Sequence, residues 1–501
     1  MSIPESWVSR IVGITATPKN FNTGNSQMLP QQLVIIGQGN DDIPYSLKKY
    51  ECEGSAAEIG ERYGYGSPLH LAALQLFPHV GSMATFPVYF CPVKIGDTGF
   101  APASGSILVT GIKATANSEC ILSVGGIDVT IAVTKNETAE QVMDSIILAV
   151  NATLERPVVA ELVEATDDIP ATIKLTARWS GALGNRIPLS WKGDIAGLTV
   201  ALTAFSDGIG TPSINAALEA IGTNLWATFI LNTFDYKTSD GSESPLLDAC
   251  FAFGEERWGW IEKKPCLVAY GCVDDYATRT AITDNRKSDY VNFLILSVGA
   301  PELPFVVAAR GLLEIMTTAD ANPAKGYTGN LTGLKRGDDA AQEKPLIRNQ
   351  SVAKGSSTNI TDGSVATLND TITMYHPDGG GRFPLRRSVV GAVKLMNIIY
   401  NLRLITEAPD VKASPLLPEG QATRNPDAKT PADFKTWFAN LAVNLGLDAL
   451  ISDVEFTVKN LVVTQSASNP DRINYKFPVK ESGNVEVVDG EVLFGQYLAT
   501  A

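Results

Sequence analysis

At 501 residues the chain is too long for one core, and about 100–200 residues per domain predicts three or four domains. Hydrophobic residues at 45% and charged residues at 19% exclude wholesale disorder. A formal net charge of -14 argues against direct nucleic-acid binding, whose footprint is a basic stripe, and suits a soluble surface that resists non-specific sticking.

Residues 1 to 20 lack the basic start and unbroken apolar run of a signal peptide. The longest apolar stretches are interrupted by Arg310, Lys394 or Arg403, short of the ~18 residues of a membrane span. Synthesis in the cytoplasm without membrane insertion is therefore expected. Cys52, Cys91, Cys120, Cys250, Cys266 and Cys272 form no CxxC pair and read as free buried thiols.

In chain order, residues 1 to 30 are polar, carry Pro4, Pro18 and Pro30, and read as an arm. Leu33 to Ile36 is a short apolar strand ending in Gly37-Gln-Gly-Asn-Asp. Ser55 with Glu58 suggests a capping box for a helix, a second helix starts at Ser67-Pro68, and Phe86 to Cys91 is a strand.

The character changes near Gly99. Gly105 to Lys113, Cys120 to Val124, Ile127 to Val133, Val158 to Leu162 and Thr172 to Thr176 read as strands. Thr138 with Gln141 caps a helix whose face is Val142, Ile146 and Val150. Residues 97 to 207 are thus a self-contained, β-rich α+β insert bounded by Gly/Pro/Asp-rich loops.

From Gly210 helix and strand alternate. The helices are Ser213 to Ile221, Pro245 to Arg257 and Tyr276 to Arg286; the strands are Trp226 to Leu231, Cys266 to Tyr270 and Phe293 to Val298. This is the rhythm of a helix-covered sheet, and an apolar helix from Glu302 to Thr318 follows it. Residues 336 to 370 are turn-rich and carry no clear assignment. Thr371 to Tyr375 reads as a strand, and Ser388 to Ile405 is apolar with an ambiguous period.

The end of the chain, Thr430 to Tyr497, opens with a helix. Thr430 is its N-cap, Pro431 its first residue, Phe434, Trp437, Phe438, Leu441 and Leu445 its face, and Gly446 its stop. Val454, Phe456 and Val458, then Ile473, Tyr475, Phe477 and Val479, alternate as half-buried strands. Val485, Val487, Val492, Phe494 and Tyr497 form a hairpin-like pair turning at Asp489-Gly490. An isolated two-stranded hairpin is marginal in water, so this pair needs another sheet, its own or a neighbour's.

No catalytic constellation emerges. Gly37-Gln-Gly-Asn-Asp lacks the third glycine of a dinucleotide fingerprint, and the next helix starts late, near Ser55. Gly379-Gly-Gly381 beside Arg382 has no following Lys-Ser/Thr. His70, His79 and His376 stand far from any metal-ligand spacing, and no cofactor or metal is implied. His376-Pro-Asp378 reads as a polar turn. Glu255-Glu256 and Asp274-Asp275 read as acidic pairs on solvated faces.

Several segments, in order, resemble the contractile tail sheath proteins of Mu-like bacteriophages. They are Pro301-Glu-Leu-Pro-Phe-Val-Val-Ala-Ala-Arg-Gly-Leu, Asp320-Ala-Asn-Pro-Ala324, Leu331-Thr-Gly-Leu334, Thr371-Ile-Thr-Met-Tyr375, Thr430-Pro-Ala-Asp-Phe, Asp453-Val-Glu-Phe-Thr-Val458 and Asn469-Pro-Asp-Arg-Ile-Asn-Tyr475. The Gly105 to Pro188 insert, with Gly184-Asn185, is similar to the extra β-rich domain of that group. Roughly two-thirds of the chain takes part in this motif-level match.

The resemblance implies an α/β (α+β overall), multi-domain structural protein. Its parts would be an N-terminal arm at 1–30, the first part of the sheath core at 31–96, the insert at 97–207, a central α/β sheath domain at 208–375, and a C-terminal sheath domain with a terminal strand arm at 376–501. It further implies a non-enzymatic protomer of stacked hexameric rings, assembled in a host cytoplasm and resident in the virion tail. The partners would be further copies of itself, a tail tube protein, and baseplate and tail terminator proteins. Val485, Val487, Val492, Phe494 and Tyr497 would then be the inter-subunit strand. The alternatives are another tail or baseplate structural protein, or a nucleotide-binding α/β enzyme using the Gly37 or Gly379 loop.

Overall fold

The computed structural model describes residues 26–78, 81–96, 98–166, 170–376, 387–492 and 494. Two compact units divide the chain, one of residues 1–27 with 400–483, the other of 28–399 with 484–501. The expected arm at 1–30 lies outside the described residues as far as residue 25.

The larger unit begins with β1 (Leu33–Gly37), β2 (Tyr50–Cys52), α1 (Ala56–Tyr63), α2 (Pro68–Leu76) and β3 (Val88–Pro92). Residues 102–206 then form β4 (Pro102–Gly111), β5 (Ser118–Val124), β6 (Ile127–Val133), α3 (Ala139–Asn151), β7 (Val158–Val163), β8 (Thr172–Ser180), β9 (Leu189–Lys192) and β10 (Leu198–Ser206). These strands make two antiparallel sheets of their own, ordered β10-β4-β8-β7 and β6-β5-β9. β4 alternates: Ala103, Ile107 and Val109 are buried while the residues between them are more exposed, and the strand starts at Pro102, ahead of the expected Gly105.

The chain returns through α4 (Asn215–Ile221), β11 (Phe229–Asn232), α5 (Pro245–Trp258), β12 (Leu267–Cys272), α6 (Tyr276–Thr283), β13 (Asn292–Leu296) and α7 (Pro304–Ala321). Strands from both sides of residues 102–206 build one six-stranded sheet, β13-β12-β11-β1-β3-β2, parallel except for β2. β1, β11, β12 and β13 are buried along their whole length, which is why they read as unbroken apolar runs. α2 and α7 pack on each other, and α7 lies on β11, β12 and β13. The fold class is therefore α/β with several sheets. α8 (Pro345–Ala353), the hairpin β14 (Asn359–Asp362) and β15 (Val365–Leu368), and α9 (Val389–Thr406) follow.

In the smaller unit α10 (Pro409–Lys412), α11 (Pro431–Leu447), α12 (Val454–Asn460), β16 (Val462–Gln465) and β17 (Ile473–Lys476) surround a small core. Phe434, Phe438, Leu461 and Val463 are its centre, with Trp437, Ile473 and Phe477 packed against it. The cap of α11 is complete: Thr430 N–H donates to Asp433 Oδ2 at 2.7 Å, and Asp433 N–H donates to Thr430 Oγ1 at 3.4 Å.

Several expectations are corrected. Val454 to Val458 is helical, because Asp453 accepts from Phe456 N–H at 2.8 Å and starts α12, and Thr457 rather than the alternating apolar residues is its buried position. Gly446 does not stop α11, which runs to Leu447 before Ala449 turns left-handed at φ 55. A Cβ at Gly446 would overlap Val454, so this glycine serves the α11–α12 contact instead. Ser55 makes no side-chain cap; Glu58 accepts from Glu53 N–H at 3.1 Å.

Thr371 to Tyr375 forms only isolated bridges, Thr373 to Phe293 and Ile372 to Ser388, and so covers the β13 edge without a ladder. The ambiguous segment after Ser388 is α9. With 18 residues and a mean hydropathy of 1.3 it is long and apolar enough to cross a membrane by composition, yet 56% of it is buried within the fold.

Candidate assembly surface

The chain leaves its fold through residues 480–484. In the smaller unit Ser452 N–H donates to Lys480 O at 2.9 Å, Lys480 Nζ pairs with Asp453 Oδ2 at 2.6 Å, and Ile451 bridges to Glu481. Beyond Asn484 the side chains are open to solvent: Val485 is 88% exposed, Val487 86%, Val488 84%, Val492 86% and Phe494 95%. No strand is assigned to 484–492 or to 494, so the expected pairing across Asp489-Gly490 is not formed within this chain among the described residues. Tyr497 lies outside them. Val485 with Val487, and Val492 with Phe494, still sit two residues apart, and in an extended chain each pair shares one face.

β16 and β17 form a two-stranded antiparallel ribbon, Val463 opposite Tyr475 and Gln465 opposite Ile473. Its inner face rests on α11: Tyr475 and Phe477 lie 4.7 and 6.2 Å from Phe438 between ring centroids. Neither strand pairs with a third among the described residues. β16 was not foreseen, although the β-branched run Val462-Val-Thr464 is a strand signal.

A second polar feature sits in the larger unit. Arg186, in a short 3-10 turn after β8, meets Asp235 Oδ2 at 2.9 Å and Asp274 Oδ2 at 2.7 Å; Lys237 Nζ meets Asp274 Oδ1 at 3.0 Å. Burial pushes the Asp235 carboxyl up, to about 6, against the pull of Arg186. Burial would raise Asp274 too, but hydrogen bonds and charge from Arg186, then Lys237, hold it below the ordinary range. Asp274 is thus no solvated acid, which corrects the sequence reading, while Glu255 and Glu256 are exposed. Arg186, Asp235 and Lys237 line a cleft of about 430 Å³ with Gln38, Ser239, Asp240 and Ser244. Its cations are spent on its own carboxylates, which leaves no free positive charge for a phosphate.

The Gly37-to-Asn40 turn is likewise engaged internally. Gly39 N–H faces Tyr45 Oη at 3.4 Å, Asn40 N–H donates to Tyr63 O at 2.8 Å, and α1 starts only at Ala56. The donors that would cradle a phosphate are already used. Gly379 to Arg382, Asp378 and His79 lie outside the described residues. His70 is buried and accepts from Gly66 N–H at 3.1 Å. His376 pairs with Asp284 at 3.3 Å, a residue remote in sequence.

All six cysteines are buried and free of disulfides, and burial pushes the Cys91, Cys250 and Cys272 thiols up to about 12. No group of three metal-binding side chains occurs among the described residues.

No protein-family model matches the chain, and no curated protein does. Among solved structures, the sheath tail protein of Desulfitobacterium hafniense is 12% identical over 95% of this chain and 97% of that one, with a TM-score of 0.47. The sheath tail protein of Listeria innocua is 11% identical over 92% and 93%, also at 0.47. The flagellar cap protein of Escherichia coli is 19% identical over 24% of this chain and 45% of that one, at 0.14.

Proposed function

We propose that the chain is a protomer of a contractile phage tail sheath. It polymerises with copies of itself as stacked hexameric rings around a tail tube protein, between baseplate and terminator proteins. The domain division at residues 30, 96, 207 and 375 belongs to the same reading, as does residence in the virion tail after assembly in a host cytoplasm.

The observation that carries it is the terminal segment from Val485 to Phe494, which exposes four valines and a phenylalanine and has no strand partner in its own chain among the described residues. The β16–β17 ribbon offers the complementary feature, two strands with unpaired outer edges. Added strands satisfy such edges through main-chain hydrogen bonds, and alternate side chains set the register. Charge favours a second copy as the occupant, since Glu486, Asp489 and Glu491 are acidic and Arg472 and Lys476, both exposed on or beside β17, are basic.

Strand exchange would let subunits tilt as rigid bodies without separating. A preference of a few kcal/mol per subunit for the shorter state, summed along a stack, then makes contraction one-way and drives the tube through the host envelope.

The test is truncation after Ser482. The shortened protein is expected to stay folded and soluble and to form no tubes by negative-stain electron microscopy; normal hollow tubes from it would refute the tether. Discrete rings or plugs from the full chain would favour a baseplate part. A saturable nucleotide signal in calorimetric titration would favour an enzyme.

A further inference from the structure

The terminal segment leaves the body at a defined point. Asn484 Nδ2 donates to Ala324 O at 2.8 Å, and Asn484 Oδ1 accepts from Lys394 Nζ at 2.9 Å. Lys394 belongs to α9 and is 1% exposed, and Ala324 follows the end of α7. The carboxamide therefore works at both ends, as donor to a backbone carbonyl and acceptor from a buried ammonium. Aspartate could perform only the second role, and leucine neither. On one side of it Gly483 stands in open space; on the other Val485 is 88% exposed.

We propose that Asn484 is the positioning residue of the terminal segment: clamped between Lys394 and Ala324, it fixes the point and direction from which Val485 to Phe494 reach a second copy of this chain. The inference rests on reading that segment as an exchanged strand. A segment swinging freely from Gly483 would sample many directions, and ordering it on binding would cost affinity. Holding its first residue removes part of that cost before the partner arrives. Lys394 also gains, because a buried ammonium needs acceptors.

The experiment uses the full chain with Asn484→Leu and Asn484→Asp. Polymerisation is followed by sedimentation, and limited proteolysis at 485–492 is measured on the unassembled protein. Asn484→Leu is expected to be cut faster at these residues and to polymerise about tenfold less readily, the worth of one to two hydrogen bonds. Asn484→Asp, which keeps the Lys394 contact, should fall between it and the parent.

Wild-type proteolysis and polymerisation in Asn484→Leu would overturn the proposal. Should that variant fail to fold, Asn484→Asp decides: parent-like cutting and assembly overturn the proposal, and intermediate values support it. Failure of strand exchange itself is distinguishable, since Val487→Asp with Phe494→Asp would then polymerise normally whatever proteolysis shows at Asn484.

Discussion

Glu302 is 7% exposed in the turn before α7, and one of its carboxylate oxygens accepts from Lys335 N–H at 3.1 Å. Burial pushes its carboxyl from 4.5 up to about 7, with Lys335 pulling back and Asp128 adding to the rise. The folded protein thus holds an extra proton between about 4.5 and about 7. The contribution of Glu302 to stability is full below that window, falls as pH rises through it, and is lost above, by up to ~3 kcal/mol. Melting temperatures across this range should show the slope in the parent and a flatter profile in Glu302→Gln.

Lys335 sits at the same junction, its ammonium on Gly126 O at 2.8 Å and Ser123 Oγ at 3.3 Å. A Cβ at Gly126 would overlap the Glu302 carboxylate, and its φ of 85 suits glycine. Arg186 ties down residues 102–206 in a comparable way. Arg186→Met leaves Asp235 and Asp274 facing each other and should cost ~3–5 kcal/mol in urea unfolding.

Among the elements, α11 is the most completely specified by local sequence. Thr430→Ala removes one half of its capping box and should destabilise the chain by ~1 kcal/mol. The next contact is set by shape. Gly446→Ala is expected to push α12 away and cost ~1–3 kcal/mol, with partial recovery in Gly446→Ala/Val454→Ala, where the truncated partner makes room. Both effects are read from denaturant midpoints. α12 itself shows how the alternation Val454, Phe456, Val458 reads as a strand, and how a single N-cap, Asp453, settles the segment as a helix. β2 and β9, of three and four residues, carry too little pattern to be seen without the sheets that hold them.

For the whole molecule, the terminal valines and Phe494 are 84–95% exposed among the described residues, so charge placed there should leave the fold untouched. Val487→Asp with Phe494→Asp is expected to keep the parent melting temperature and abolish tubes in negative stain; tubes of normal yield would exclude strand exchange.

The sequence by itself determined the parts whose causes are local. The buried parallel strands announce themselves as apolar runs, and the caps at Thr138 and Thr430 as a hydroxyl followed three residues later by a side-chain acceptor. It also argued against a glycine-rich phosphate site at Gly37, because the next helix starts late, near Ser55.

Enclosure set the rest. Whether Asp274 is solvated or paired with Arg186, and where Asn484 is held, depend on residues brought together from distant positions. The first of those contacts joins Arg186, from residues 102–206, to Asp274, which follows β12 of the six-stranded sheet. Their energies, a buried charge matched or a carboxamide satisfied at both ends, are properties of enclosure.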